Sequence, residues 1–197
     1  MKLYYTTISA FSRKCRILAR ELNIIADIQE IITTMRSTDS IIMSINPTGK
    51  VPALVTKDQH LLTESYIICN YMEIVANTNI NSKDNNNNWK INGYEAVACQ
   101  VLESIVYRAI EKKNKPKNFI HKETIDYEKF KVNRALDFLE NKATDFNNSI
   151  NRVQISICLA FNTMQKNFPE ESWKINRPLL TAIVENFQAR KSFTDTE

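Results

Sequence analysis

The sequence predicts an α+β protein in two domains, a mixed strand-and-helix half followed by an all-helical half. Three observations carry this. Through residue 76 the hydrophobic period switches repeatedly between alternation and helical spacing. Residues 77–88 read "NTNINSKDNNNN", a tract dominated by a residue that favours turns and bonds its own backbone. Beyond it every periodic segment is helical. The expected division is therefore a domain over 1–76, a linker over 77–88 and a helical domain over 89–197.

The elements follow in order. Lys2–Tyr5 is a short β-prone run. Residues 10–22, "AFSRKCRILAREL", set Phe11, Cys15, Leu18 and Leu22 three and four apart, one face of a helix. Ala26–Ile32 returns to strand character, and residues 38–45 suit a short helix that must stop before Pro47. Pro52–Val55 and His60–Leu62 flank "TKDQ", an antiparallel hairpin. Residues 65–76, "SYIICNYMEIVA", form a helix with Ser65 at its opening. The order is β-α-β-α-β-β-α. Downstream, helices are expected near 89–112, 121–144, 151–167 and 178–189. Asn151 suits an N-cap, with Gln154 placed to complete a capping box, and Pro178 suits a helix's first turn.

Composition narrows the function classes. A chain of 197 residues can bury a real core. The net charge of +4 is too small to imply nucleic acid without a concentrated patch. The basic stretch "EKKNKPKN", Glu111–Asn118, has no interleaved aromatics and reads as a solvated loop. The first residues, "MKLYYTTISA", hold no apolar core of a signal peptide, and no run approaches the roughly 18 apolar residues of a membrane span. Cys15, Cys69, Cys99 and Cys158 are widely spaced and form no C-x-x-C pair, which favours free thiols in a reducing cytoplasm. With His60 and His121 the only histidines, no metal cluster is expected. Ser12-x-x-Cys15 reads as packing, and no Ser/His/Asp constellation or phosphate loop stands out.

One stretch asks for a special backbone. "INPTGKVPALV", Ile45–Val55, holds one of the chain's two glycines and two of its five prolines. A proline at a strand's start removes a donor from the ladder. If the Val51–Pro52 bond were cis, Val51 would face outward with its N–H and C=O free for a visiting peptide. Base rates alone favour trans.

These residues together resemble the glutathione S-transferase family. The strand–helix–strand start, then "NPTGKVPALV", a hairpin and "TESYIICNYMEIV", look like its thioredoxin-like N-terminal domain. Residues 147–197, with "NRPLLTAIVENFQARKSFTDTE", resemble its last helices and tail, and "SAFSRK" is similar to the start of its bacterial YibF-type members. The resemblance spans nearly the whole chain and implies the glutathione-transferase fold, a cis Val51–Pro52 bond, glutathione as co-substrate with no metal, a small electrophile as second substrate, and a cytoplasmic homodimer engaged in detoxification.

The resemblance also implies site residues. Ser9, between the first strand and first helix, reads from chemistry alone as an N-cap; the resemblance makes its hydroxyl the partner of glutathione's thiolate, with Ser12 in reserve. A hydroxyl donor and the positive end of a helix both favour the thiolate. Val51, ahead of Pro52, would pair through its backbone with the cysteinyl part. Glu64 and Ser65, at the head of the third helix, would take the γ-glutamyl ammonium and carboxylate; on composition alone they are an ordinary acidic helix start. Lys50 reads equally as a solvated loop residue or as a charge for the glycyl carboxylate. Phe11 reads as core packing or as a ring overhanging the sulfur.

Departures from the family pattern are visible. Ala10 replaces the proline of S-P-F, and Asn151 and Gln154 replace the usual Thr/Ser and Asp of the late capping box. In "EAVACQVLES", Cys99 and Glu103 stand where the family has acidic residues, one of which reaches the partner subunit's glutathione. Glu95 and Glu103 are the candidate substitutes. Val97, Val101, Ile105 and Tyr107 on the same helix are candidates for a dimer face. Two function classes follow: a glutathione transferase, or a non-catalytic binding module on the same fold, of the kind seen in stringent-starvation regulators.

Overall fold

The computed structural model describes residues 1–35, 37–81, 88–116 and 119–197. Residues 82–87 of the expected linker, and Lys117 and Asn118 of the expected basic loop, lie outside them. The chain forms two compact units, 1–80 together with 190–197, and 81–189.

In the first unit the strands are β1 (Lys2–Tyr5), β2 (Gln29–Ile32), β3 (Ala53–Val55) and β4 (Leu61–Thr63), with helices α1 (Ala10–Glu21), α2 (Ile41–Ile45) and α3 (Ser65–Val75). The sheet order is β2-β1-β3-β4. β1 runs parallel to β2, and β3 is antiparallel to both β1 and β4. This is the thioredoxin-like arrangement, and the β-α-β-α-β-β-α order matches the expectation. Strand alternation puts Tyr4 and Ala53 on one face, where they pack with Ile42 of α2. Leu3 and Leu54, their alternates, are fully buried on the opposite face. Several element edges differ from expectation by one to three residues. Residues 25–27 form a 3-10 turn, so the second strand starts later. Ser65 is the first helical residue of α3 and not its cap: Glu64 holds the cap position, at φ 66° and with no side-chain bond to the helix.

The second unit holds α4 (Trp89–Asn114), α5 (Lys122–Lys142), α6 (Arg152–Asn167) and α7 (Pro178–Gln188). α6 is buried on all sides from Arg152 to Phe161, and the polar side chains in that run are partnered: Arg152 by Glu95, Gln154 by the Phe146 carbonyl and Ser156 by the Arg152 carbonyl. Asn151 caps it, its side chain accepting the Gln154 N–H at 3.1 Å. Gln154 does not close the expected capping box; its amide donates instead to the Phe146 and Ser149 carbonyls at 2.7 and 3.1 Å. α4 runs on through Asn114, so Glu111–Asn114 are helical where a loop was expected, and Lys115 pairs with Glu111 at 2.8 Å.

The last residues were assigned by sequence to the helical domain. In the structure Arg190–Glu197 cluster with the first unit, where α8 (Lys191–Thr194) packs on α1. No helix among the described residues is long and apolar enough to cross a membrane. The four cysteines are thiols not joined in disulfides, with Cys15, Cys69 and Cys158 buried.

Candidate active site

Strand register brings the expected residues of the first unit to one edge of the sheet. Tyr5 ends β1 beside Ile32, the end of β2, and Tyr4 pairs with Ala53, which in turn pairs with Thr63. The segment after β1 (Ser9), the segment before β3 (Val51 and Pro52) and the segment after β4 (Glu64 and Ser65) therefore all emerge on the same side. In open sheets this is the end of the parallel strands where ligands bind.

Ser9 is the N-cap of α1. Its backbone is extended, and its Oγ accepts the Ser12 N–H at 3.2 Å. A serine hydroxyl offers one donor and two acceptor sites, so this cap leaves the O–H proton free. Ser12 is fully buried. Phe11 is half-buried in the first turn.

The loop before β3 is built around Asn46, which is 1% exposed. Its side-chain amide donates to the Lys50 carbonyl at 2.9 Å and to Thr63 Oγ1 at 3.3 Å. Its Oδ1 accepts from Thr48 N and Oγ1 at 3.1 and 3.0 Å. One buried amide thus ties the turn to the end of β4, next to Glu64. Gly49 sits at φ 63°, and a Cβ there would fall 2.6 Å from Met43 Sδ. That positive φ is what the turn needs from a glycine. The Val51–Pro52 bond is cis. Lys50 is exposed and Val51 half-buried.

Glu64 is exposed and one of the non-glycine residues with positive φ, a costly conformation often held at ligand sites. It turns the chain from β4 directly into α3, so that the first turn of the helix starts at Ser65, which is 7% exposed. Sequence reasoning missed Asn46 and the conformation of Glu64. Asn before Pro in "INPTGK" is a turn signal that points to the first; nothing in the sequence points to the second.

On α4 the acidic candidates separate. Glu95 is fully buried against Arg152 within its own unit, so it cannot reach a ligand of another subunit; Glu103 is exposed. Cys99 Sγ lies 3.6 Å from Ser156 Oγ. Val101 and Ile105, candidates for a dimer face, are 2% and 0% exposed and belong to the core of their own unit, in which α4 packs on both α5 and α6. Val97 is half-buried, and Tyr107 is exposed.

Comparisons with known proteins agree with this architecture. Residues 8–74 match the family model for the glutathione S-transferase N-terminal domain. The fold is that of glutathione transferases: it superposes on a family member from Pseudomonas fluorescens Pf-5, solved with bound glutathione, with a TM-score of 0.91, at 22% identity, covering 100% of this chain and 98% of that one. A glutathione S-transferase from Methylobacillus flagellatus KT with glutathione bound gives 0.88 at 23% identity, over 99% and 98% of the two chains. Gtt2 of Saccharomyces cerevisiae gives 0.82 at 16% identity, over 100% of both. In sequence, the chain is 29% identical over 202 residues to the uncharacterized GST-like protein YibF of Escherichia coli (strain K12), covering 100% of this chain and 98% of that protein. The resemblance carried by the sequence motifs thus extends over the whole chain.

Proposed function

We propose that this protein is a glutathione transferase, conjugating glutathione to small electrophiles or using it to reduce them, with the Ser9 hydroxyl donating to the thiolate. The observation that carries the reading is the Ser9 cap. Its oxygen is engaged by the Ser12 N–H at 3.2 Å, which fixes the hydroxyl at the helix's positive end and leaves its proton to donate outward. Ser12, fully buried, is a poorer thiol partner. At the same sheet edge, the Val51 backbone takes the cysteinyl part, the N–H groups and hydroxyl at Ser65 take the γ-glutamyl carboxylate, Glu64 takes its ammonium and Lys50 the glycyl carboxylate. Phe11 borders the sulfur. Catalysis then comes from holding a thiolate in place for attack. The relatives solved with glutathione support this choice of ligand. The reading takes the protein to act in the cytoplasm as a homodimer, without a metal, in detoxification.

Retention on glutathione-agarose, followed by a near-ultraviolet pH titration of the bound thiolate, tests the reading. One hydrogen bond to a charged group is worth roughly 1.5–3 kcal/mol, and a pKa unit about 1.4 kcal/mol, so Ser9→Ala raises the bound thiol's pKa by about one to two units. Ser12→Ala leaves it in place. No retention and no depressed thiol pKa in the wild type would replace the enzyme with the binding-module reading. Light scattering at micromolar protein checks the dimer.

A further inference from the structure

Arg190–Glu197 return to the first unit and grip α1 at both ends. At its start, Arg13 is 7% exposed and its guanidinium meets the returning segment at several points. Its Nε donates to Thr196 Oγ1 at 3.2 Å, one Nη donates to the Phe193 carbonyl at 2.9 Å and lies 3.6 Å from a Glu197 carboxylate oxygen, and its carbon stands 4.0 Å over the Phe193 ring. One turn on, Arg16 donates to the Thr196 carbonyl at 3.1 Å. At the end of α1, Glu21 accepts two bonds from Arg190, at 2.8 and 2.9 Å, and one from the Ser192 hydroxyl. Phe193 and Thr196 are each 2% exposed, so the segment is packed into place and not laid over the surface.

The turn held by Arg13 is the turn that carries Ser9. The Arg13 N–H donates to the Ser9 carbonyl at 2.9 Å, and the Ser12 N–H to Ser9 Oγ at 3.2 Å. The guanidinium anchors the first turn of α1 to the returning segment: a variant without it leaves the turn unanchored, and a variant without an acceptor leaves a buried charge whose least costly relief is to move toward water. In either case the first turn of α1 rotates or slides, and the Ser9 hydroxyl moves with it. Displacements near 1 Å at a reacting group are enough to cost about a hundredfold in rate.

We propose that residues 190–197 are a latch that sets the Ser9 hydroxyl through Arg13, which makes Arg13 a positioning residue for thiol activation. The inference rests on Ser9 as the thiol partner. It assigns a task to a segment that sequence reading placed in the other domain.

The test uses the full chain with glutathione bound. Arg13→Met keeps an unbranched side chain beneath the Phe193 ring and removes the guanidinium's bonds to Phe193 and Thr196 and its ion contact with Glu197. Thr196→Val removes one acceptor from the latch side with little change in shape. Each raises the bound thiol's pKa by about one unit, which lowers the thiolate fraction about tenfold near neutral pH. The glutathione dissociation constant stays within about threefold, since the γ-glutamyl and cysteinyl contacts lie on other segments. The double variant shifts the pKa no further than Arg13→Met alone, because Arg13→Met already breaks the bond that Thr196→Val removes. Arg13→Lys, which keeps a donor for the Phe193 carbonyl, recovers part of the shift. An unmoved titration in folded Arg13→Met or Thr196→Val, alongside a shifted Ser9→Ala, overturns the latch and leaves the proposed function standing. If Arg13→Met does not fold, Thr196→Val decides alone. An unmoved Ser9→Ala overturns the proposed thiol activation itself, and the latch with it.

Discussion

Glu95 and Arg152 form an ion pair sealed inside the second unit: Oε2 and Nε lie 3.0 Å apart, with side chains 0% and 2% exposed. Asn81 completes the cluster. Its amide donates to the same Glu95 oxygen at 3.0 Å and to Asn92 at 2.9 Å, while its own oxygen accepts the Arg152 N–H at 2.9 Å. The starts of α4 and α6 are thereby joined to the residue that opens the unit. Such a pair contributes modestly to net stability but is severe to break, because one buried charge is left alone.

Glu95→Ala is therefore expected to destabilise the protein by about 3–5 kcal/mol. Replacing both partners with apolar residues of similar volume costs far less. Urea unfolding of the single and double variants checks this. A single variant as stable as the wild type would show that Arg152 finds another partner.

Asn46→Ala removes four bonds at once and leaves the Lys50 carbonyl and Thr63 hydroxyl without the donor they share. A cost of about 1–3 kcal/mol in stability follows, with weaker glutathione binding, because the turn presents Val51. Asn46→Asp costs at least as much, since it sets a carboxylate against the Lys50 carbonyl. Chemical denaturation and calorimetry measure the two effects. Full affinity in Asn46→Ala would mean that the turn holds its shape unaided.

Ser65→Ala bears on the γ-glutamyl end. Loss of one bond to a carboxylate weakens glutathione binding by roughly 1–3 kcal/mol, with the bound thiol's pKa unchanged. Unchanged affinity by calorimetry would place that end elsewhere.

Glu30 supplies a pH dependence. Burial pushes its carboxyl up, but hydrogen bonds from Arg20 and Arg16 outweigh burial and hold the pKa below the ordinary 4.5. Arg20 donates to it at 2.8 and 3.1 Å, and Arg16 at 3.0 Å. A carboxyl lowered in the folded state contributes stability above its unfolded pKa and loses it as pH falls through the folded value. Wild type is therefore more stable than Glu30→Gln at neutral pH, and the gap closes as pH drops below about 4.5. Denaturation midpoints across that range check the sign; a constant gap would assign the difference to packing.

Much of this molecule was legible before folding was considered. The β-prone run Lys2–Tyr5, three-and-four spacing through Phe11, Cys15, Leu18 and Leu22, and the glycine between two prolines are local signals, and local backbone preference is what they report. The motif order from "INPTGKVP" to "TESY" carried the resemblance to a glutathione transferase. The sequence by itself thus determined the element order, the helical character of the second half and which segments to suspect. Only tertiary structure decided how those segments meet. Register between β1, β3 and β4 assembled one edge from residues scattered over Ser9–Ser65. Packing buried Ser12, Glu95, Val101 and Ile105, which spacing alone leaves as surface candidates. Nor does a local signal report that Arg13 on α1 bonds Phe193 and Thr196, separated from it by 180 and 183 residues. Those contacts form because a buried guanidinium must find acceptors wherever the fold brings them, and sequence distance does not enter that requirement.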